Sequence, residues 1–195
     1  MTSDIHHYHD GKPLNRSETI KRQLERDAAR LFMRQYEQRF DTPMRDIWHN
    51  EPAKPDISCH LNNQPLDLEI AHLYASASEA KLLTKELIDQ VDPESHPRTS
   101  NKDLESLRYL SELVEMNSQQ RLQTALTHIL NRKAEKHYDS KRVWLVIRNA
   151  SPILQKKDFD TCMAQLHLQP HPFEKIWLLP DFSGEQPAIQ LFPTS

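Results

Sequence analysis

The sequence predicts an α/β domain in which a mixed central sheet is flanked by helices. Two observations carry this prediction. Helical and strand patterns alternate along the chain, and the run "RVWLVIRNA" at 142–150 has apolar residues on both faces, as buried strands do. The chain has 195 residues, of which 37% are hydrophobic, enough for one domain with a modest core. We therefore expect a flexible segment over 1–15 and a single domain over 16–195.

The predicted elements alternate in type along the chain. Ser17 begins a long helix that "DTP" ends after residue 40. The later elements are a strand pair within 46–73, helices over 76–90 and 103–138, the strand at 142–150, a short helix near 157–167, and the strands "KIWLLPD" and "PAIQLFP". Residues 76–117 are interpreted as a helical insertion, which could serve as a lid, a dimerisation arm or a DNA-binding segment.

Composition excludes several classes of protein. The only glycines are Gly11 and Gly184, so the phosphate-binding loops of P-loop and dinucleotide-binding enzymes are absent. Cys59 and Cys162 are too few for a disulfide scaffold or a thiolate zinc site, and their apolar surroundings indicate core thiols in a reducing compartment. No 18-residue apolar run is present. These features predict a soluble cytoplasmic protein without a membrane partner.

The stretch "KPDISCHLNNQPLDLEIAHL" at 54–73 reads as a β-hairpin. Asn62 and Asn63 tolerate the left-handed backbone that a two-residue turn requires. With these two at the turn, Asp56 lies opposite Glu69, and opposed side chains have Cβ atoms about 5 Å apart. A divalent cation would offset the repulsion between them. The alternative is the solvent-facing polar side of an edge hairpin, which Pro65 favours.

A third carboxylate comes from the first helix. Its apolar residues between Ile20 and Phe40 form one broad arc, with Glu25 inside it and Glu37 outside. A carboxylate on a core-facing arc needs a partner, because burying an unpaired charge is costly. Glu25 is therefore a candidate site residue, unless it is half-exposed and paired with a neighbouring arginine.

A lysine interrupts the buried face of the later helix. That face is defined by Leu122, Leu126, Ile129 and Leu130, and Lys133 lies near its middle. The same helical projection turns Arg121, His128, Arg132 and Glu135 outward. Lys133 either reaches towards a carboxylate cluster or extends along the surface to solvent at the helix end.

The first helix also carries an excess of positive charge, although the whole chain has a net charge of −3. Arg26, Arg30 and Arg34 form a stripe at intervals of four residues. Such a stripe could contact the phosphates of a nucleic acid, but a solvated helix face is the commoner explanation.

Glu25, the "PD" at 55–56 and Glu69 after an apolar strand together resemble the PD-(D/E)XK nuclease superfamily, which has the restriction-endonuclease-like fold. The resemblance implies an αβββαβ core whose first strand is "MRDIWHN", with Asp56, Glu69 and Glu25 binding Mg²⁺ or Mn²⁺. The lysine expected two residues after Glu69 is replaced by Ala71, and strand alternation turns His72 to the opposite face. Lys133 is the leading substitute for that lysine, followed by Lys81, Lys85 and Gln123.

The resemblance implies a magnesium-dependent nuclease that acts on DNA, with Asp56, Glu69, Lys133 and Glu25 as catalytic residues. Nucleases of this fold often form homodimers, which allows for one here. Two alternatives remain. The chain could be a catalytically degenerate relative that binds nucleic acid or protein, or an interaction protein whose helical region 76–138 docks a partner.

Overall fold

The computed structural model describes residues 8–9, 12–13, 16–50, 54–91, 108, 111, 116–163 and 166–193. The helices are α1 (Arg16–Phe40), α2 (Ala77–Val91), α3 (Ser118–Ala134) and α4 (Lys156–Met163). The strands are β1 (Tyr8–His9), β2 (Lys12–Pro13), β3 (Met44–His49), β4 (Ile57–Leu61), β5 (Gln64–Leu73), β6 (Val143–Asn149), β7 (Lys175–Leu179) and β8 (Ile189–Phe192). The short strands β1 and β2 pair with each other, within the segment that the sequence leaves unstructured.

The other six strands form one mixed sheet in the order β3-β4-β5-β6-β7-β8. Strands β3, β4 and β5 are antiparallel neighbours, as are β7 and β8. The central pairs β5–β6 and β6–β7 are parallel. This confirms the predicted α/β class with a mixed sheet flanked by helices.

Helices cover both faces of the sheet and form two separate cores. On one face, α1 contributes Ala28, Phe32 and Tyr36, which pack against Trp144 and Trp177 of the sheet. On the other face, α3 and α4 pack against the alternate residues of the same strands, as the side-chain alternation of a strand requires. Residues of β5 therefore divide between the faces, with Leu66, Leu68 and Ile70 on the α1 side and Ala71 and Leu73 on the α3 side.

The hairpin between β4 and β5 has the predicted register. Asn62 and Asn63 have φ of 48° and 62°, the left-handed conformation of a two-residue hairpin turn. Ile57 pairs with Leu68. The interpretation of β5 as an edge strand is wrong, because β6 pairs along its other side in parallel and encloses it.

The edge on this side of the sheet is β3, whose pairing with β4 is irregular. The register shifts between Arg45 and Trp48, and Asp46 within the shift has φ of 57°. Such a bulge sharpens the local twist and re-aims the side chains beside it.

Two further predictions concern buried cysteines and membrane spans. Cys59 and Cys162 are buried free thiols in the two cores, as expected. Burial raises the pKa of Cys59 to about 12, which keeps this thiol protonated. In the part of the chain that the structure describes, no helix is long and apolar enough to cross a bilayer.

Candidate active site

The candidate site lies where β4 and β5 separate. Their last paired residues are Ile57 and Leu68, so Asp56 and Glu69 are the next opposed positions. Beyond them the β4-facing edge of β5 is covered by side chains instead of a strand. Asp56 Oδ2 accepts a hydrogen bond of 2.8 Å from the Ile70 amide, and Lys133 Nζ donates one of 2.8 Å to the Ile70 carbonyl. Two of the predicted site residues thus provide hydrogen-bond partners for the amide and the carbonyl of Ile70, on the side where β4 no longer pairs with β5.

Glu69 and Lys133 form the centre of the site. Glu69 is fully buried and Lys133 is 8% exposed. Lys133 Nζ lies 2.6 Å from Glu69 Oε1 and 4.0 Å from Asp56 Oδ2. Of the two alternatives for this lysine, the structure therefore favours contact with the carboxylates over extension to solvent.

A second lysine, Lys136, contacts the same carboxylate oxygen. Its Nζ lies 2.8 Å from Glu69 Oε1, and its side chain is half-exposed. The repulsion between Asp56 and Glu69 is therefore offset by two lysines of the chain, of which the sequence analysis proposed Lys133 alone. Tyr138 completes this side by donating a hydrogen bond of 3.0 Å to the Lys133 carbonyl.

Glu25 joins the site from α1, because the open edge of β5 allows residues from both sides of the sheet to meet. It is 7% exposed. Its carboxylate lies 3.7 Å from Lys21 Nζ and 4.0 Å from His49 Nδ1. Burial, reinforced by the negative charge of Asp56, raises the pKa of Glu25 from 4.5 to about 7. Burial and Glu69 likewise raise the pKa of Asp56.

Glu25 and Asp56 border a cavity of about 670 Å³, whereas the fully buried Glu69 lies behind its wall and does not line it. Glu25 and Asp56 form its acidic wall, and Lys21, Arg132, Lys133 and Lys136 supply positive charge around it. Its apolar wall consists of Ile20, Leu24, Ile70 and Ala71, and His72 and Tyr74 also line it. The cavity thus combines acids, cations and an apolar surface.

His72 lines this cavity although it alternates away from Glu69 along β5. Burial is the main cause that lowers its pKa to about 4, and the positive charges of Arg148 and Lys133 add to the effect. His72 is therefore neutral at physiological pH, and its buried Nε2 has no hydrogen-bond partner among the described residues.

The carboxylates fit a magnesium ion in part. Glu69 Oε2 is buried without a hydrogen-bond partner among the described residues, a costly state that a cation would relieve. Asp56 lies next to it, and Mg²⁺ commonly takes only one or two carboxylates from a protein and completes its shell with water and phosphate oxygens. Within the described ranges no group of three or more His, Cys, Asp or Glu side chains could hold a metal ion.

The predicted arginine stripe lies away from this cavity. Arg30 and Arg34 are exposed on α1 and Arg26 is half-buried, and none of the three lines the cavity. Among the other lysine candidates, Lys81 and Gln123 have exposed side chains, and the side chain of Lys85 lies outside the described part of the chain.

Sequence reasoning missed one site residue and misplaced another side chain. Lys136 lies beyond the end of α3, in the turn that follows the helix, so no helical spacing in the sequence reports its contact with Glu69. Arg121 was expected to point outward, yet it is 9% exposed. It lies in the first turn of α3.

No protein-family model matches this chain, and neither the curated proteins nor the solved structures include a significant match to it.

Proposed function

We propose that the protein is a metal-dependent nuclease of the PD-(D/E)XK type that hydrolyses phosphodiester bonds in DNA. The observation that carries this proposal is the position of Lys133, which contacts Glu69 at 2.6 Å and approaches Asp56 at 4.0 Å although it comes from a different element. It supplies the ammonium group that Ala71 cannot. The order α1, β3, β4, β5, α2, α3, β6 is compatible with an αβββαβ core if α2 belongs to the insertion.

The chain's own residues have distinct roles in this proposal. Lys133 holds positive charge beside the reacting phosphate, where negative charge grows in the transition state. Lys136 and Arg132 attract the substrate backbone to the mouth of the cavity. Glu25, with a pKa of about 7, accepts the proton that the attacking water releases. The oxygen of that water bonds to phosphorus as the bond to the leaving oxygen breaks.

Asp56 and Glu69 are the residues that would hold Mg²⁺ or Mn²⁺. When bound, the ion supplies Lewis acidity towards the phosphate and lowers the pKa of water. The partnerless Oε2 atom of Glu69 is the strongest support for this assignment.

The test combines metal-dependent stability with cleavage. We expect Mg²⁺ and Mn²⁺ to raise the melting temperature of the wild type, because a ligand that binds only the folded state stabilises it. Glu69→Ala should remove this shift and reduce cleavage of DNA oligonucleotides by at least about a hundredfold. Glu174→Ala is the matched control, because Glu174 is also a paired carboxylate but binds Arg142 outside the cavity.

Retention of full metal-dependent cleavage by the double variant Asp56→Ala, Glu69→Ala would contradict the proposal. A metal-induced shift that persists in Glu69→Ala would place the ion elsewhere.

A second candidate is a non-catalytic nucleic-acid-binding or protein-binding module on the same scaffold. The observation that favours it is the double lysine contact of Glu69 Oε1, which neutralises the carboxylate without a metal. This module would show no stabilisation by Mg²⁺ or Mn²⁺ and no cleavage of single-stranded or duplex DNA.

A further inference from the structure

An exposed tryptophan lies on the edge strand β3. Trp48 is 45% exposed, whereas the other two tryptophans, Trp144 and Trp177, are 0% and 1% exposed. In the described part of the chain, the only other large exposed hydrophobic side chains are Phe40 and Phe182. A single exposed aromatic residue is common on protein surfaces, so the position and neighbours of Trp48 decide what it can bind.

Trp48 shares a sheet face with the candidate active site. It pairs across the strands with Ser58, and Ser58 donates a hydrogen bond to Asp67. Asp67 lies two residues before Glu69 on β5, so their side chains point to the same face. Since neighbouring strands are about 4.8 Å apart, β3 lies roughly 10 Å from β5. A ligand seated on the acidic pair is therefore within reach of the indole.

The neighbours of Trp48 hold its ring in place. The His60 ring packs against it with centroids 5.6 Å apart, and Asp46 Oδ2 lies 3.2 Å from His60 Nδ1. The bulge between Arg45 and Trp48 changes the direction of the side chains in this part of β3. The result is a partly preorganised aromatic surface.

Positive charge lies on the opposite side of the acidic pair. Lys133 approaches Glu69 from α3 and Lys136 from the turn after it, and Arg132 lines the cavity beside them. Aromatic side chains bind bases by stacking and cations bind the phosphate backbone, which together are the means by which proteins hold single strands. The bases of a duplex are stacked inside it and cannot occupy such a platform.

We propose that Trp48, supported by His60, is a stacking platform for a base of single-stranded nucleic acid whose backbone crosses the Asp56–Glu69 pair. The substrate class assigned here rests on the proposed nuclease function, since that function defines where the backbone lies. The occupant is a single strand.

Tryptophan fluorescence provides a direct test, because Trp48 is the one solvent-exposed indole. The probe is unlabelled oligothymidylate, added in the presence of EDTA so that no cleavage occurs. We expect it to quench the emission of the wild type and to leave that of Trp48→Phe almost unchanged. A blunt duplex of the same length should quench much less.

Affinity for a dye-labelled oligothymidylate, measured by polarisation, gives a second readout. Trp48→Ala should weaken binding roughly tenfold to a hundredfold, and Trp48→Phe should retain most of it. Phe182→Ala is the matched control, because Phe182 is equally exposed at 45% but follows β7, towards the far side of the sheet. It should bind as the wild type does.

Unchanged fluorescence of the wild type on addition of oligothymidylate would overturn the proposal. Contact with a protein partner would then be the remaining role for Trp48. Equal quenching by single strand and duplex would overturn the substrate class. Failure of the nuclease function is observed separately, as the absence of Mn²⁺-dependent cleavage by the wild type.

Discussion

Glu69 and Glu79 are both almost fully removed from solvent, at 0% and 2% exposed, but their carboxylates have very different neighbours. Glu79 lies in the first turn of α2. Its Oε2 accepts a hydrogen bond of 2.5 Å from the Ala75 amide, and its Oε1 accepts one of 3.0 Å from Ser151 Oγ. Ser76 Oγ accepts from the Glu79 amide at 3.1 Å, so the pair forms a capping arrangement for α2.

Glu69, in contrast, has both of its donors on one oxygen. Lys133 and Lys136 contact Oε1, while Oε2 is buried with no hydrogen-bond partner in the described structure. The two donors described for Glu79 are neutral, one on each oxygen, and they tie the end of β5 to the segment after β6. Burial alone therefore does not distinguish the two carboxylates. Glu69 differs in its charged donors and in the oxygen that has no hydrogen-bond partner among the described residues.

The largest expected effect tests how far Glu69 depends on its buried lysine. Lys133→Met should lower the free energy of unfolding by about 3–5 kcal/mol, because it leaves a buried carboxylate short of its compensating charge. The control Lys136→Met should cost less than about 1 kcal/mol, since this side chain is half-exposed. Urea unfolding measures both values. Equal losses would show that the two lysines are equivalent and that burial does not separate them.

The next effect concerns the hydrogen bonds of Glu79. Glu79→Ala should lower the free energy of unfolding by about 2–3 kcal/mol, because the Ala75 amide and the Ser151 hydroxyl lose their acceptor. The exposed Glu86 on the same helix is the control, and Glu86→Ala should stay within about 0.5 kcal/mol of the wild type. Any metal-induced thermal shift should survive in Glu79→Ala. Loss of that shift would show that Glu79 contributes to metal binding, which its hydrogen bonds do not indicate.

The smallest effect is a dependence of stability on pH that originates in Glu25, beside Asp56. The folded-state pKa of Glu25, about 7, lies above the ordinary value of 4.5, so protonated Glu25 favours the fold. This contribution is complete below about pH 4.5 and is lost as the pH rises through about 7. Glu25→Gln should therefore flatten the decline in stability between about pH 5 and about pH 8 by ~2 kcal/mol.

Glu37→Gln provides the control for this pH profile. Glu37 lies on the same helix, but its hydrogen bonds to Arg45 lower its pKa, so its contribution to stability is lost as the pH falls. Unfolding followed across the pH range should show opposite changes for the two variants. Parallel profiles would contradict the assignment of the alkaline decline to Glu25.

The local part of this site could be predicted from the sequence. Asn62 and Asn63 define the turn, and the alternation along β5 then determines which residues face each other. Glu25 and Lys133 were detectable because each is a charged residue on an otherwise apolar helical face. In both cases the periodicity of a single element carries the information.

The parts that could not be predicted depend on contacts between distant segments. The parallel pairing of β5 with β6 encloses a strand that Pro65 had marked as an edge, and no local pattern reports such a partner. The separation of β4 from β5 depends equally on how the chain leaves the sheet before Ile57. Lys136 lies beyond the end of α3, so its reach to Glu69 depends on the turn that follows the helix.

The bulge in β3 has a consequence for self-association. An outer strand with a regular row of free amides and carbonyls is a template on which another copy can add a strand, and repeated addition produces fibrils. In β3 the left-handed Asp46 and the shifted register interrupt that row, and the exposed charged side chains of Arg45 and Asp46 flank the interruption. At the other edge, β8 is only four residues long and Pro193 follows it. Both ends of the sheet are thus poor starting points for strand addition, which leaves the exposed Trp48 available without making its strand a seed for aggregation.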